Sequence, residues 1–345
     1  MSGPDDVELG EMGRAEEPDL DRGVVEAWAA RMISNPDRAY KAAFYTATAF
    51  FLVTTLFPFY WLFMVALTPR AQLGSTGVLT PGGTPRGEVD LPLIDVTLGY
   101  PVGLPADINV IAFVEIFQRL PFHRYVFNSF LIATVATVAG LLVASLAGYV
   151  FGRLRFRGKN VLLLGVLVTS FFPPAAFFVP LNRLFNTNID VLRPLMQDGS
   201  LYNTPHAIFI PLSAIFLPLS IFILMTFYAQ IPDGLEDAAR VEGTTRLGAL
   251  FRVIVPLSAP GVATAGVLTF ISVYNEYFFS SLMTDGSPEN WAPMLEGVLR
   301  FQGEFEVLFN LMAAASIVAV LPVAILVIVA QEKIVSGLTA GALKE

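Results

Sequence analysis

The sequence predicts an all-α polytopic membrane protein with six transmembrane helices. Three observations carry that expectation. Six apolar runs are each long enough to cross a hydrocarbon core of about 30 Å at about 1.5 Å per residue. Only 14% of the 345 residues are charged and 54% are hydrophobic, with a mean hydropathy of +0.63; soluble domains carry about 25% charged residues. The charges also gather between the runs, above all at 153–159 and 231–256. A charged side chain at the centre of a span costs roughly 2.5–3.5 kcal/mol on insertion scales, so those two segments must face water. Continuous apolar runs argue against a β-barrel, whose strands alternate.

Residues 1–41 read as an acidic tail followed by a pre-membrane helix. Asp5, Asp6, Glu8, Glu11, Glu16, Glu17 and Asp19 surround no apolar core, so the segment is expected to be disordered and is no secretory signal. Ser34, Asn35 and Pro36 form a helix start, and span one covers 42–67. The segment 68–125 is rich in Gly and Pro up to Pro105 and ends in an amphipathic piece at 109–120. Span two, 126–151, carries Ala133, Ala136, Ala139, Gly140, Ala144, Ala147 and Gly148, small residues that suit close helix approach. Spans three to six are expected at 161–181, 204–227, 260–282 and 308–334, leaving a tail at 335–345. Pro58, Pro173, Pro174, Pro211, Pro218 and Pro322 fall inside spans. They read as packing irregularities or, at Pro173–Pro174 and Pro218, as bends in helices that line a path.

Arg153, Arg155, Arg157 and Lys159 crowd the short link between spans two and three. The positive-inside rule makes that link cytoplasmic. With six spans, both termini and the 231–256 loop are then cytoplasmic, and 68–125, 181–203 and 283–307 face outside. There is no cysteine, so disulfide and thiol chemistry are excluded, and two distant histidines, His123 and His206, make a metal site improbable. The net charge of −8 reflects an acidic tail and loops, or a host of high internal salt. Nucleic-acid binding has no basic patch behind it.

The 231–256 loop is far longer than a link between spans requires. Pro232, Asp233, Glu236 and Asp237 open a helix expected at 235–240, with acids at the positive end of its dipole. Ala238 and Ala239 keep one face flat, and Gly243 breaks the helix where left-handed geometry is needed. A second helix at 245–255 places Leu247, Leu250, Phe251 and Ile254 at helical spacing, with Arg246 and Arg252 on its polar side. Such a hairpin either lies on its own protein or inserts into a cleft of a partner. In span five, Tyr274, Asn275, Glu276 and Tyr277 form a polar cluster of the kind that binds sugars, while Glu276 could equally end at the interface.

These motifs resemble the binding-protein-dependent ABC importer permeases, of the carbohydrate-uptake class and its MalG-like side. The family's EAA loop is matched by Asp237-Ala238-Ala239, three residues and Gly243, closing at Val253-Ile254-Val255-Pro256. Asp237 stands where Glu is usual, Glu242 where Asp is usual, Val253 where Ile is frequent and Gly234 where Glu is frequent. Further matches are Asn128-Ser129, the run from Ala147 to Gly158, Tyr274-Asn275-Glu276-Tyr277 and the tail from Gln331 to Lys344. The resemblance covers about 121–345, with a core at 121–334. It implies a type I importer permease fold and a coupling role for Glu236, Asp237, Ala238, Ala239, Gly243 and Arg246 toward a cytoplasmic ATPase. It also implies a second homologous permease subunit, two ATPase subunits that carry ATP and Mg, an external solute-binding protein and a sugar substrate in a lipid membrane. The segment 68–124 would meet the binding protein or cap the outer mouth, or serve as a spacer. The tetrad 274–277 would face the solute path, unless the sister subunit alone holds the sugar.

No cofactor is expected on this chain, no residue is catalytic, and no P-loop GxxxxGK[ST] is present. The chief rival is a secondary transporter driven by an ion gradient, for which Glu276 is the one candidate carboxylate. A membrane-embedded enzyme would want clustered acids and histidines, and none are clustered in the sequence.

Overall fold

The computed structural model describes residues 36–70, 73, 86–91, 96–101, 108, 110–173, 175–187, 199–303 and 307–342. The acidic tail, Ser34, Asn35, Pro174, most of the 68–109 segment and the last three residues lie outside them. The chain forms two compact units, Met1–Tyr60 and Trp61–Glu345. Helix α1, Pro36–Leu67, begins at the predicted proline and runs through Pro58. In the first unit its Tyr40, Phe44, Phe50 and Phe51 are exposed, as on a helix apolar all round and suited to lipid.

The second unit opens with the end of α1, where Met64 and Ala66 are fully buried. The Gly- and Pro-rich segment holds a hairpin that the sequence reading did not foresee: β1, Arg86–Leu91, pairs antiparallel with β2, Val96–Pro101, in the register Arg86↔Pro101 to Leu91↔Val96. The amphipathic piece becomes α2, Ala112–Arg119, which buries Ala112 and Ile116. Span two is α3, Phe122–Arg153, longer than expected at both ends.

The predicted third span differs most. It divides into α4, Lys159–Thr169, and α5, Ala175–Asn186. Pro173 disfavours helical geometry at the residue before it and has no N–H to give, so the helix cannot continue through this point. Span four is likewise a pair, α6 Pro205–Ile215 and α7 Leu217–Tyr228, bent by 48° at Phe216 just before Pro218. After the loop helices α8, Asp233–Val241, and α9, Arg246–Leu257, span five is α10, Ala259–Tyr274, which meets α9 at 85°. Two short helices follow, α11 Phe278–Leu282 and α12 Met294–Leu299, and then α13, Phe309–Ala342, which outruns the predicted span six. Among the described residues three helices are continuous, long and apolar enough to cross a membrane, and two bent pairs could each count as one more span.

At its N-terminal end α3 grips the 283–300 segment. Tyr125 Oη donates to Gly286 O at 3.0 Å, Asn128 Nδ2 donates to Pro288 O at 2.8 Å, and Met294 N–H donates to Ser129 Oγ at 2.8 Å. The Asn128-Ser129 pair thus has a structural use. In the same segment Asp285 accepts the Ser287 N–H at 2.9 Å, and this bond, with those from Asn290 and Asn203, holds its carboxyl below the usual range.

At its C-terminal end α3 lies against α7. A Cβ on Gly148 would meet Leu224 Cβ and Met225 N at 3.1 Å, and one on Gly152 would meet Met225 O at 3.0 Å. Two glycines one turn apart thus let the backbones touch. Ser145 and Tyr228 seal the contact with a buried hydroxyl pair at 2.7 Å. Leu250 and Ile254 of α9, Leu224 and Tyr228 of α7 and Ala144 and Tyr149 of α3 share one hydrophobic cluster here.

Candidate functional site

The loop between α7 and α10 is the first candidate. Helix α8 starts at Asp233, two residues earlier than the pattern suggested, with Pro232 before it and Glu236 in its first turn. It ends in a Schellman arrangement: Thr244 N–H donates to Ala239 O and Gly243 N–H to Arg240 O, both at 3.0 Å. Gly243 has φ of +89°, the left-handed geometry expected of it. Thr245 caps α9 by accepting the Gly248 N–H at 3.1 Å. Farther along, Leu250–Ile254 is a π-helical stretch, with Val255 N–H donating to Leu250 O. Pro256 explains it, because it offers no N–H to the carbonyl four residues back and the turn before it widens.

The apolar positions of α9 split between two faces. Leu250 and Ile254 are fully buried, which contributes about 1.5–3 kcal/mol each to holding α9 on its own protein. Leu247 and Phe251 are exposed, as are Leu235 and Val241 of α8, the last at 88%. Asp237, Ala238, Gly243 and Arg246 stand on the exposed side, and Ala239 is half-buried. Asp237 pairs loosely with Arg240 at 3.6 Å, which leaves its carboxylate largely in water.

Glu236 is placed differently from its expected coupling neighbours. It is buried, and its carboxylate faces α3: Tyr149 Oη donates to Oε1 at 2.5 Å and Arg153 Nε donates to Oε2 at 3.1 Å. In the sequence Arg153 marks orientation and lies with Tyr149 in the matched run 147–158, and neither is assigned a contact with Glu236. Their spacing of four on one helix was the available signal for a shared face.

The second candidate, the tetrad at the end of α10, is not one surface. Tyr274 is 1% exposed, stacks on Phe270 at 5.7 Å and donates its hydroxyl to Ala319 O at 2.7 Å. Its ring is spent on packing. Glu276 caps α11, accepting the N–H groups of Phe279 at 2.7 Å and Ser280 at 3.1 Å and the Ser280 hydroxyl at 2.9 Å. Tyr277 donates to Glu296 Oε2 at 3.1 Å. Asn275, in the break between the helices, is exposed. Among the described residues no three His, Asp or Glu side chains converge as a metal site would require.

Comparison with known proteins bears on the family and the fold. Residues 136–337 match the model of the binding-protein-dependent transport system inner membrane component family. The chain is 32% identical to the sulfoquinovosyl glycerol transport system permease protein SmoH of Agrobacterium fabrum, over 87% of this chain and 93% of the relative. It is 30% identical to the trehalose/maltose transport system permease protein MalG of Thermococcus litoralis, over 85% and 92%. Among solved structures, a bacterial ABC transporter that imports the acidic polysaccharide alginate matches with a TM-score of 0.62 at 20% identity, covering 86% of this chain and 97% of that one. At that identity the likeness speaks to the fold.

Proposed function

The chain belongs to the family of binding-protein-dependent transport system inner membrane components, and from that membership we propose that it is the permease subunit of an ATP-driven sugar importer. It would form half of the translocation pathway beside a second permease of the same fold. Energy would come from ATP and Mg held by two separate ATPase subunits, and solute from an external binding protein. Both relatives are named for carbohydrate-containing solutes, which supports sugar as the substrate class. The ion-gradient alternative lacks support: family membership speaks against it, and its one candidate carboxylate, Glu276, is engaged as a helix cap.

The observation that carries the coupling role is the divided face of the α8–α9 loop. One side is anchored by Leu250 and Ile254, while Val241, Leu247 and Phe251 stay exposed beside Asp237 and Arg246. A water-facing loop keeps apolar side chains uncovered at some cost unless a partner covers them. An ATPase groove that took this rim would drag the loop when its dimer closes on ATP, and the spans would alternate between inward- and outward-facing states. That requires ATP to bind the closed ATPase state more tightly. The arginines and lysine at 153–159 support a cytoplasmic loop, and with six spans both termini would lie on the same side.

Reconstitution tests this. Vesicles that contain the permease pair and ATPase are supplied with the binding protein and labelled sugars. Uptake that needs ATP and survives an ionophore is expected. Uptake that collapses with the ionophore and ignores ATP would point to the secondary transporter instead.

A further inference from the structure

Tyr149 and Arg153 share one face at the C-terminal end of α3, and both reach the Glu236 carboxylate, one at each oxygen. Arg153 has further partners. Its Nη1 donates to Ile231 O, just past the end of α7, and its Nη2 pairs with Asp233 Oδ1 at 3.0 Å. The Arg153 side chain is 5% exposed and that of Glu236 is 11%. A cation at the C-terminus of one helix therefore meets acids in the first turn of another, which both helix dipoles favour. Glu236 is also the one buried residue of α8.

We propose that Arg153 is a positioning residue for energy coupling: it clamps α8 to the end of α3, so that a displacement of α8 is delivered directly to that span. This rests on the permease reading above. Helix α9 has its own anchors in Leu250 and Ile254, whereas α8 buries only Glu236 and is tied to α3 by Arg153 through Glu236 and Asp233. A push on the exposed face of α8 then reaches α3 through the Arg153 contacts with Glu236 and Asp233, or is absorbed by the turns at either end. The receiving end is stiff, because α3 and α7 touch backbone to backbone at Gly148 and Gly152 and are joined by Ser145 and Tyr228. Arg153 also holds the Ile231 carbonyl, so it joins α3, α8 and the chain leaving α7 at one point. Burial shields the joint from salt, unlike an exposed pair.

The assembled transporter with its binding protein tests the clamp, by measuring solute imported and ATP hydrolysed in the same vesicles. Arg153→Gln should lower the ratio of solute moved to ATP hydrolysed about tenfold, with the half-saturation for solute unmoved. Arg153→Lys, which keeps the charge and loses the fork, should fall between, and Tyr149→Phe should lower the ratio about two- to threefold. A residue that only helps the chain fold would lower uptake and hydrolysis in proportion to the amount of complex, leaving the ratio intact, and that result overturns the clamp. If Arg153→Gln does not assemble, Glu236→Gln, of the same shape, decides by the same ratio. Wild-type ratios in these variants overturn the clamp alone. A wild-type complex without ATP-driven uptake overturns the permease reading instead.

Discussion

At the scale of single residues, Gly243 shows how a backbone angle can fix a residue type. Nothing lies within 4 Å of where its Cβ would stand, so space does not demand glycine there; φ of +89° does. Gly243→Ala should cost about 1 kcal/mol through left-handed strain. Gly243→Pro cannot take that φ and loses the N–H given to Arg240 O, so the end of α8 unwinds. Uptake should vanish while the assembled complex still binds ATP; retained ATP-driven uptake in vesicles would remove the coupling role from this turn. Asn275 and Glu276 call for a different measurement. Glu276→Gln weakens the cap of α11 by about 0.5–2 kcal/mol, and Asn275→Ala alters the exposed break before it. A path role predicts a raised half-saturation for solute in Asn275→Ala, and an unchanged value in both variants would take the pair out of the path. Residue types and spacing made Gly243 legible from the chain alone. They could not separate Glu236 from Asp237, because which of two adjacent acids turns inward depends on where α3 ends.

At the scale of elements, the long apolar runs were legible and their continuity was not. Hydropathy averages over a window, so it sees an apolar run at 161–181 and is blind to the break after Thr169 that Pro173 imposes. The small residues of span two were legible as a close-packing face, whereas their partner, α7, is a tertiary fact. That contact yields a test with an internal control. Gly152→Val would press a branched side chain against the Met225 carbonyl, which is backbone and cannot rotate away, so α3 and α7 must part. A cost of about 1–3 kcal/mol is expected. Gly165 lies within α4 with nothing within 4 Å of its Cβ position, so Gly165→Ala should be neutral or stabilising by up to about 1 kcal/mol. Thermal unfolding of the two variants side by side measures this. Equal midpoints would mean that the glycine contact between α3 and α7 carries no stability.

At the scale of the whole molecule, the acidic balance turns out to be a property of one segment. Nine of the 29 carboxylates but only three of the 21 basic side chains fall within the first 35 residues, which leaves them six of the eight net negative charges. The remaining 310 residues are close to neutral, with a net charge of −2. Several carboxylates in the described part are already engaged: Glu236 by Arg153, Glu276 by the start of α11 and Glu289 by Arg124 at 2.8 Å. A folded surface adapted to high internal salt would instead repel itself in dilute buffer and gain stability as salt screens it, with the Debye length falling from about 10 Å at 0.1 M to about 3 Å at 1 M. The charge distribution therefore predicts that a variant lacking residues 1–35 unfolds at nearly the same temperature from 0.1 to 1 M NaCl, within about 2 °C, a shift worth about 1 kcal/mol for a chain of this size. It should also import solute at the full-length rate in 0.15 M salt. A midpoint that climbs steeply with salt in the shortened chain would put the acidic pressure on the folded body after all, and with it the salt-adapted reading of the sequence.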